Sequence, residues 1–547
     1  MAKITGGSLV VKTLEALGVE VVFGIPGVHN LEIYKALLDS PIRHITTRHE
    51  QGAAFAADGY SRIKGKPGVA ITITGPGLTN AVTALAGAYH DSVPLLLISS
   101  QIPRQSLASR SGFLHEVKDS RGMASSVCKE SISVMYPEDI SSSLIYAWEL
   151  SQKGRPGPVH VEIPVDLLSE GFFGESQYRS DCRLKVLRPI LRPNDENIDE
   201  AVSFIDKARF CAIIAGGGAL SAGSEITKLA EKIAAPVVTT CAGKGVVDER
   251  HALSLGARLN FKVVRDYLES LDLLLIAGSE LSPTDLYQYP LKPKGKVIRI
   301  DLDPGNFARQ PLPDISVMAD CKTAITILAD RVSARDARVV EEVSSKVKSI
   351  KAAARDELLS SGELGEETYD AVQAVNSIRK ALPDEGMIFA DMTIPAYVSI
   401  SEFPSYGPRA FLHPVGFGTL GWALPAALGA KAACPQAPII VLSGDGGFQF
   451  TMEELALTEE ENLPLVIVIW HNNGFGILKN IEERRHFRKP YAVNQNLPNF
   501  SLLASAYGIR SFRVTSAVEL EEALWASLSD RASAIIEYRS RWSSKLL

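Results

Sequence analysis

The stretch Val441 to Lys479, VLSGDGGFQFTMEELALTEEENLPLVIVIWHNNGFGILK, constrains the fold of this chain more than any other. An apolar strand, Pro438 to Ser443, breaks at Gly444-Asp445-Gly446-Gly447. A helix-like segment follows, and a second buried strand, Leu465 to Trp470, ends in His471-Asn472-Asn473-Gly474. A carboxylate and an amide at the tips of two parallel strands meet at the carboxyl edge of a sheet, where ligands of open α/β folds sit. Magnesium takes oxygen ligands in octahedral array and keeps water and phosphate oxygens among them. Asp445 and Asn472 offer two side-chain oxygens and the Gly474 carbonyl a third, while Gly446 and Gly447 let backbone N–H groups approach a diphosphate. A lone Gly-Asp-Gly is ordinarily a strand–helix turn, and Asn-Asn-Gly an unrelated turn. Their succession across one strand–helix–strand unit favours a site.

At 547 residues the chain is too long for one core and suits three domains of about 150–200 residues each. Its net charge of −6 and lack of a long basic run argue against nucleic acid or an anionic membrane as partner. Cys128, Cys182, Cys211, Cys241, Cys321 and Cys434 show no CxxC spacing, which suits reduced thiols, mostly in the core, in a cytoplasmic protein. The N-terminus lacks the apolar core and cleavage site of a signal peptide. The least charged window, Phe411 to Cys434, is broken by Pro414, Pro425 and Lys431 and makes a poor membrane span.

Residues 1 to about 170 alternate short apolar strands with helices. Ser8 is the expected N-cap of a helix that buries Val10, Leu14 and Leu17 and stops at Gly18. Glu50 stands where a strand hands over to an Ala-rich helix, a position that a helix dipole alone favours by ~0.3–1 kcal/mol. The turn Gly75-Pro76-Gly77 follows the strand GVAITIT.

Two runs together, RHEQGAAFAADGYSR followed by TGPGLTN, and GDGGFQFT followed by Asn472-Asn473, resemble the signature of thiamine diphosphate enzymes, the family of acetolactate synthase and pyruvate decarboxylase. The resemblance implies an α/β fold of three doubly wound parallel-sheet domains. These are a pyrimidine-binding domain at 1–170, a middle Rossmann-like domain at 190–335 and a diphosphate-binding domain at 366–547. It implies thiamine diphosphate and Mg2+ as cofactors, with Asp445, Asn472 and the Gly474 carbonyl on the metal. Glu50 would hydrogen-bond the aminopyrimidine ring and shift it toward the imino tautomer that serves as internal base. A buried carboxyl group has the raised proton affinity this needs. Gly418 would offer backbone groups to the pyrimidine. Leu420 matches the apolar wedge that bends the cofactor; outside this motif it is an ordinary core leucine. Thr393, at the end of the strand GMIFADMT, is a diphosphate donor or a simple helix cap.

Other positions are less specific. His115, in Gly112-Phe113-Leu114-His115-Glu116, is an acid–base candidate or a surface imidazole, and His29 is a further polar candidate. Acetolactate synthases have Phe-Gln-Glu in place of Leu114-His115-Glu116 and a lysine at Val165; pyruvate decarboxylases have an acidic residue at Val28 and a His-His pair. Ser279 to Asp285 looks like a run found in 2-ketoarginine decarboxylases. Gly216-Gly217-Gly218 lacks the G-x-G-x-x-G spacing and reads as tight turns, which leaves FAD in the middle domain open. Ser169 to Asn194 reads as a linker and 334–368 as a helical connector with a solvated face. Ile477 and Leu478 are placed to line a pocket, while Glu482 and Glu483 either face a cationic substrate or lie on a solvated helix face.

The resemblance thus implies a non-oxidative decarboxylase of a small-molecule 2-oxo acid, similar to 2-ketoarginine decarboxylase. It works through an enamine and is assembled as a homodimer or homotetramer with cofactor at the subunit interface. An acetolactate synthase-type carboligase is the alternative. A silent regulatory protein of the same fold is disfavoured by the joint presence of Glu50, Asp445 and Asn472.

Overall fold

The computed structural model describes residues 4–172, 190–287, 289–362 and 364–540. Most of the expected linker, 173–189, lies outside the described residues. The first sheet is built from β1 (Val21–Gly24), β2 (Arg43–Thr46), β3 (Gly68–Thr72), β4 (Leu95–Gln101), β5 (Glu130–Ser133) and β6 (Pro158–Pro164). The second contains β7 (Cys211–Ala215), β8 (Val237–Thr239), β9 (Ser254–Gly256), β10 (Leu273–Ala277), β11 (Lys296–Asp301) and β12 (Ile315–Met318). The third comprises β13 (Met387–Ala390), β14 (Phe411–Leu412), β15 (Ile439–Gly444), β16 (Val466–His471), β17 (Arg510–Val514) and β18 (Ala534–Arg539). All three sheets have six strands and are wholly parallel, as the α/β expectation requires.

Their orders are 2-1-3-4-6-5, 9-8-7-10-11-12 and 14-13-15-16-18-17. Strand order reverses between β1 and β3, β7 and β10, and β13 and β15, and the crevice outside such a reversal is where ligands of open α/β sheets bind.

Helices cover the sheets. Of those used below, α1 is Gly6–Ala16, α2 Glu50–Lys64, α3 Ala337–Ser360, α4 Thr368–Ala381, α5 Ile394–Glu402, α6 Ala423–Ala433 and α7 Gly476–Arg484. The Ser8 cap is a misreading: α1 begins at Gly6, and the Thr5 hydroxyl accepts from Ser8 N–H at 3.2 Å. Gly18 ends this region with φ +74°, as expected. The connector α3 buries Val343, Val347, Ile350, Ala354 and Leu358, one stripe at helical spacing, so its charges occupy the other face.

The third sheet is sandwiched by the other two units because its strands are apolar on both faces. Ile440, Leu442, Val466, Val468 and Trp470 pack into a core continuous with the second sheet. Their alternates Val441, Ile467 and Ile469 pack with α2, α6 and the first sheet. The α2–α6 contact is a seam of small residues. A methyl group on Gly59 would lie 1.9 Å from Ala426 O, and one on Gly429 1.8 Å from Ala56 O. Cys128, Cys211 and Cys321 are buried and Cys434 is exposed; no described helix is long and apolar enough to cross a membrane.

His160, fully buried on β6, bridges the hydroxyls of Ser99 and Ser131, each at 2.8 Å. Burial pushes its imidazole down to about 3. The unfolded state therefore binds a proton that the folded state refuses, so this stability is intact above about 6.5 and drains as pH falls toward 3. His160→Gln should lessen the acid loss of stability between pH 6 and 4, by up to about 1.4 kcal/mol per pH unit. Denaturant unfolding of both proteins across that range checks this; identical pH slopes would rule it out.

Candidate active site

The crevice beside β15 is organised by Asp445, fully buried at the start of the helical turn Asp445–Phe448. Its Oδ2 accepts from Asn472 N–H at 2.8 Å and Asn473 N–H at 2.7 Å, and its Oδ1 from Gly474 N–H at 3.1 Å. Burial pushes the Asp445 carboxyl upward, and these peptide donors work against that. The tip of β15 is thus tied to the tip of β16. His471 Nδ1, one residue before Asn472, lies 2.7 Å from Glu537 Oε1 on β18. Burial opposes ionisation of Glu537, yet bonds from His471, Arg539 and Arg513 hold its carboxyl down at about 2. Gly474, at φ +123°, takes a conformation that favours glycine. Its carbonyl accepts from Gly476 N–H at 3.1 Å, which leaves a second lone pair.

A cleft of about 1020 Å³ runs from this edge to the wall of the second sheet's unit. Thr393, Gly418, Leu420, Gly446, Gly447, Asn472 and Gly474 all line it, so seven of the expected cofactor and metal residues converge. Thr393 precedes α5, but its side chain makes no cap bond; Oγ1 instead lies 3.1 Å from where a Gly444 side chain would begin. A methyl group on Gly446 would sit 3.0 Å from the Phe475 ring and 3.1 Å from Gln495 Oε1, so the cradle admits only glycine without adjustment. Leu420 Cδ2 would meet a side chain on Gly447 at 3.3 Å, which puts it against the diphosphate turn. The donors are a carboxylate, an amide and a peptide oxygen, the set a hard dication such as Mg2+ uses. Among the described residues no group of three or more His, Cys, Asp or Glu is placed to hold a metal. The oxygen donors at the two strand tips and the glycine cradle at Gly446 are the chemistry by which such a dication and a diphosphate would be held.

Ile477 and Leu478 line the same cleft. Glu482 accepts from Tyr491 N–H at 3.0 Å and Glu483 is exposed; neither lines it, which matches the solvated-face reading. The sequence put Asp391 at this edge without a role and gave Lys479 none. Asp391, at the end of β13, accepts from Gly421 N–H at 2.8 Å and fixes the turn that carries Leu420; burial pushes it up to about 6. Lys479 on α7 donates to the carbonyls of Asn472 and Asn473 at 2.9 and 2.8 Å.

The crevice beside β1 and β3 carries the remaining candidates. Glu50 is the first residue of α2, and its Oε2 accepts from Asn80 Nδ2 at 2.9 Å. Its Oε1 would meet a side chain on Gly77 at 3.4 Å, and the backbone of His115 lies against Gly75 of the same turn. His115, with φ +66°, packs edge-on against His29, ring centroids 5.2 Å apart. Burial, and then the neighbouring His115, lower the proton affinity of His29. Both Nδ1 atoms are buried without a hydrogen-bond partner. Glu50, His29 and His115 are thereby gathered at one edge, but none of them lines the cleft that holds Asp445's neighbours.

The two edges are joined through Glu454, which the sequence does not distinguish from Glu453. Its buried carboxylate crosses from the third sheet's unit to accept from Arg48 N–H at 3.1 Å and His49 N–H at 3.0 Å, tying down the segment that leads into the helix beginning at Glu50, whose N-cap is His49. Gly52 leaves it room: a methyl there would lie 2.0 Å from Glu454 Oε1. Burial pushes this carboxyl up to about 7. The crevice of the second sheet, by contrast, is closed. Gly216 N–H donates to Ala277 O at 2.9 Å and Gly218 N–H to Gly278 O at 3.0 Å, so these glycines serve interlocked turns.

Fold and site define an α/β protein of three parallel-sheet units with candidate residues gathered at the carboxyl edges of the first and third. Three family models match in order: thiamine pyrophosphate enzyme, N-terminal TPP binding domain over 4–123, central domain over 198–328, and C-terminal TPP binding domain over 396–538. The chain belongs to the thiamine diphosphate-dependent enzymes. It is 38% identical over 539 residues to a probable 2-ketoarginine decarboxylase of Pseudomonas aeruginosa, covering 98% of this chain and 94% of that protein. A probable acetolactate synthase large subunit of Methanocaldococcus jannaschii is 32% identical over 531 residues, with 95% and 89% covered. The acetolactate synthase isozyme 1 large subunit of Escherichia coli is 29% identical over 547 residues, with 98% and 94% covered.

Glu454→Gln keeps one acceptor but points an amide N–H at peptide donors. It should lose about 1–3 kcal/mol in denaturant unfolding near pH 8, where the carboxylate is ionised. Unchanged stability there would deny that these bonds hold the two units together.

Proposed function

We propose that the protein is a thiamine diphosphate- and magnesium-dependent, non-oxidative decarboxylase of a 2-oxo acid, with 2-ketoarginine as the leading substrate. Asp445, Asn472 and the Gly474 carbonyl hold the metal, Gly446, Gly447 and Thr393 face the diphosphate, and Gly418 and Leu420 seat and bend the rings. When bound, thiamine diphosphate supplies the electron sink for release of carbon dioxide. Glu50, oriented by Asn80, holds a proton at the aminopyrimidine ring nitrogen.

The observation that carries the decarboxylase reading is the His29–His115 pair, whose buried, unpartnered nitrogens stand beside the turn that also touches Glu50. Such a pair can hand a proton to the carbon that carbon dioxide leaves, and protonation there gives an aldehyde. The 2-ketoarginine assignment draws on the relative of that name and on the run Ser279 to Asp285, whose Thr284 lines the cleft. Ile477 and Leu478 flank the reacting end, and the far wall carries Asp266 and Glu269 interspersed with Lys262 and Arg265. Carboligation to an acetolactate-like product is the second reading, supported by the acetolactate synthase relatives. Val165 and His115 stand where the resemblance to acetolactate synthases leads one to expect a lysine and a glutamine.

In this reading a second copy of the chain completes each site, because the Glu50 edge and the Asp445 cleft lie apart in one chain. Apolar side chains are exposed beside both: Val28, Leu31 and Leu114 at one, Phe417, Phe450 and Leu478 at the other. A homodimer, alone or paired into a tetramer, covers them.

Two measurements test these statements. A panel of 2-oxo acids, assayed with thiamine diphosphate and Mg2+ for aldehyde and for acetolactate-like product, should give aldehyde preferentially from cationic acids; acetolactate from pyruvate as the main product would reverse the ranking. Glu50→Gln and Asp445→Asn should each abolish turnover, the former while still binding cofactor. Co-refolded in equal amounts, they should recover roughly a quarter of parental activity, since half of random dimers carry one intact cross-chain site in two. No recovery would place the site within one chain.

A further inference from the structure

Asn472 is a side-chain amide, and its two ends are nearly alike in shape but opposite in chemistry. Which end faces the cleft is decided by its neighbours. Its Nδ2 lies 3.1 Å from Glu367 Oε2 and 3.3 Å from Glu367 Oε1. An ionised carboxylate only accepts hydrogen bonds, so it fixes the amino end toward Glu367 and leaves Oδ1 for the cleft that Asn472 lines. The carboxylate is itself held. Trp470 Nε1 donates to Glu367 Oε2 at 2.6 Å, and the Trp470 ring is stacked on Tyr538, centroids 4.7 Å apart and planes 7° from parallel.

Glu367 arrives on a segment that is fastened to the same site at a second point. Asn480 Nδ2 on α7 donates to Leu364 O at 2.8 Å, and Gly365, at φ +79°, has no space for a side chain, which would begin 2.4 Å from Asn480 Nδ2. Residues 364–367 therefore lie across the end of β16 and the start of α7, in contact with a proposed metal ligand and with the helix that carries Ile477 and Leu478. Within the charged run 334–368, composition suggested only a solvated connector. The carboxylate of Glu367 is half-buried instead, bonded to Trp470 on β16 and to Asn472 just beyond it.

We propose that Glu367 is a positioning residue for the divalent cation: it sets the Asn472 amide with its oxygen toward the metal and couples residues 364–367 to the cofactor site. This rests on the reading of Asp445 and Asn472 as metal ligands. Carboxylates that orient metal ligands from behind typically carry a 10–100-fold effect on metal affinity when removed.

The test is Mg2+ affinity of the full-length protein at saturating thiamine diphosphate, measured by titration calorimetry without substrate, together with thermal unfolding of the cofactor-free protein. Glu367→Ala should weaken Mg2+ by roughly 10–100-fold. Glu367→Gln, whose Oε1 can still accept from Asn472, should weaken it less, and raising Mg2+ should restore the kcat of both. Asp445→Asn is the reference and should abolish Mg2+-dependent cofactor uptake. If Asp445→Asn binds Mg2+ like the parent, the metal reading itself has failed. If Asp445→Asn loses the metal while Glu367→Ala binds it within twofold of the parent, the Glu367 proposal is overturned, whatever its unfolding temperature. Should Glu367→Ala not fold, Glu367→Gln decides: parental affinity and parental Mg2+ dependence of kcat overturn the proposal.

Discussion

The carboxylate of Asp445 is the point on which the candidate site depends. It is fully buried, and three successive peptide N–H groups, from Asn472 to Gly474, converge on it. A buried carboxylate without such donors costs several kcal/mol. Satisfying it requires β15 and β16 to end at the same level and the chain after β16 to turn sharply, which Gly474 allows. One interaction thereby fixes the ends of two strands and the amide and carbonyl that follow. The His471–Glu537 contact and the Lys479 bonds then brace the same loop from β18 and α7.

A six-stranded parallel sheet is built three times, with one strand order in the first and third and another in the second, and the outcomes differ at the reversal of strand order. In the first and third sheets the crevice presents side chains: Glu50, His29 and His115 in one, Asp391, Thr393 and Asp445 in the other. In the second, Gly218 and Gly278 bring backbone against backbone. A reversal of strand order in a parallel sheet therefore does not by itself make a site, since function lies in the residues placed at the edge.

Much of this was legible in the chain because its causes are local. Unbroken apolar runs announce doubly buried parallel strands, and an acid or amide directly after such a run must emerge at the carboxyl edge. Glu50, Asp445 and Asn472 were placed by that rule with the family resemblance, and Gly418, Leu420 and Thr393 followed. What escaped depends on partners remote in sequence. Glu454 holds the lead-in to a helix 405 residues away, and nothing in Glu453-Glu454 says which of the two turns inward. Glu367 sits in a run whose composition is that of a solvated helix, and its burial is created by β16. The pairing of His29 with His115 required knowing that the Gly75 turn brings two loops together. Ser8 lost the cap to Thr5 because both offer a hydroxyl and the helix simply starts three residues earlier.

The seam between α2 and α6 has a consequence for how such a catalyst can change. Gly59 and Gly429 press directly on opposing carbonyls, so no side chain there can yield to absorb a shift. Laboratory evolution toward new substrates is thus barred from this region and channelled to Ile477, Leu478 and the loop around Thr284, where the walls of the cleft can be reshaped without disturbing the helix that begins at Glu50.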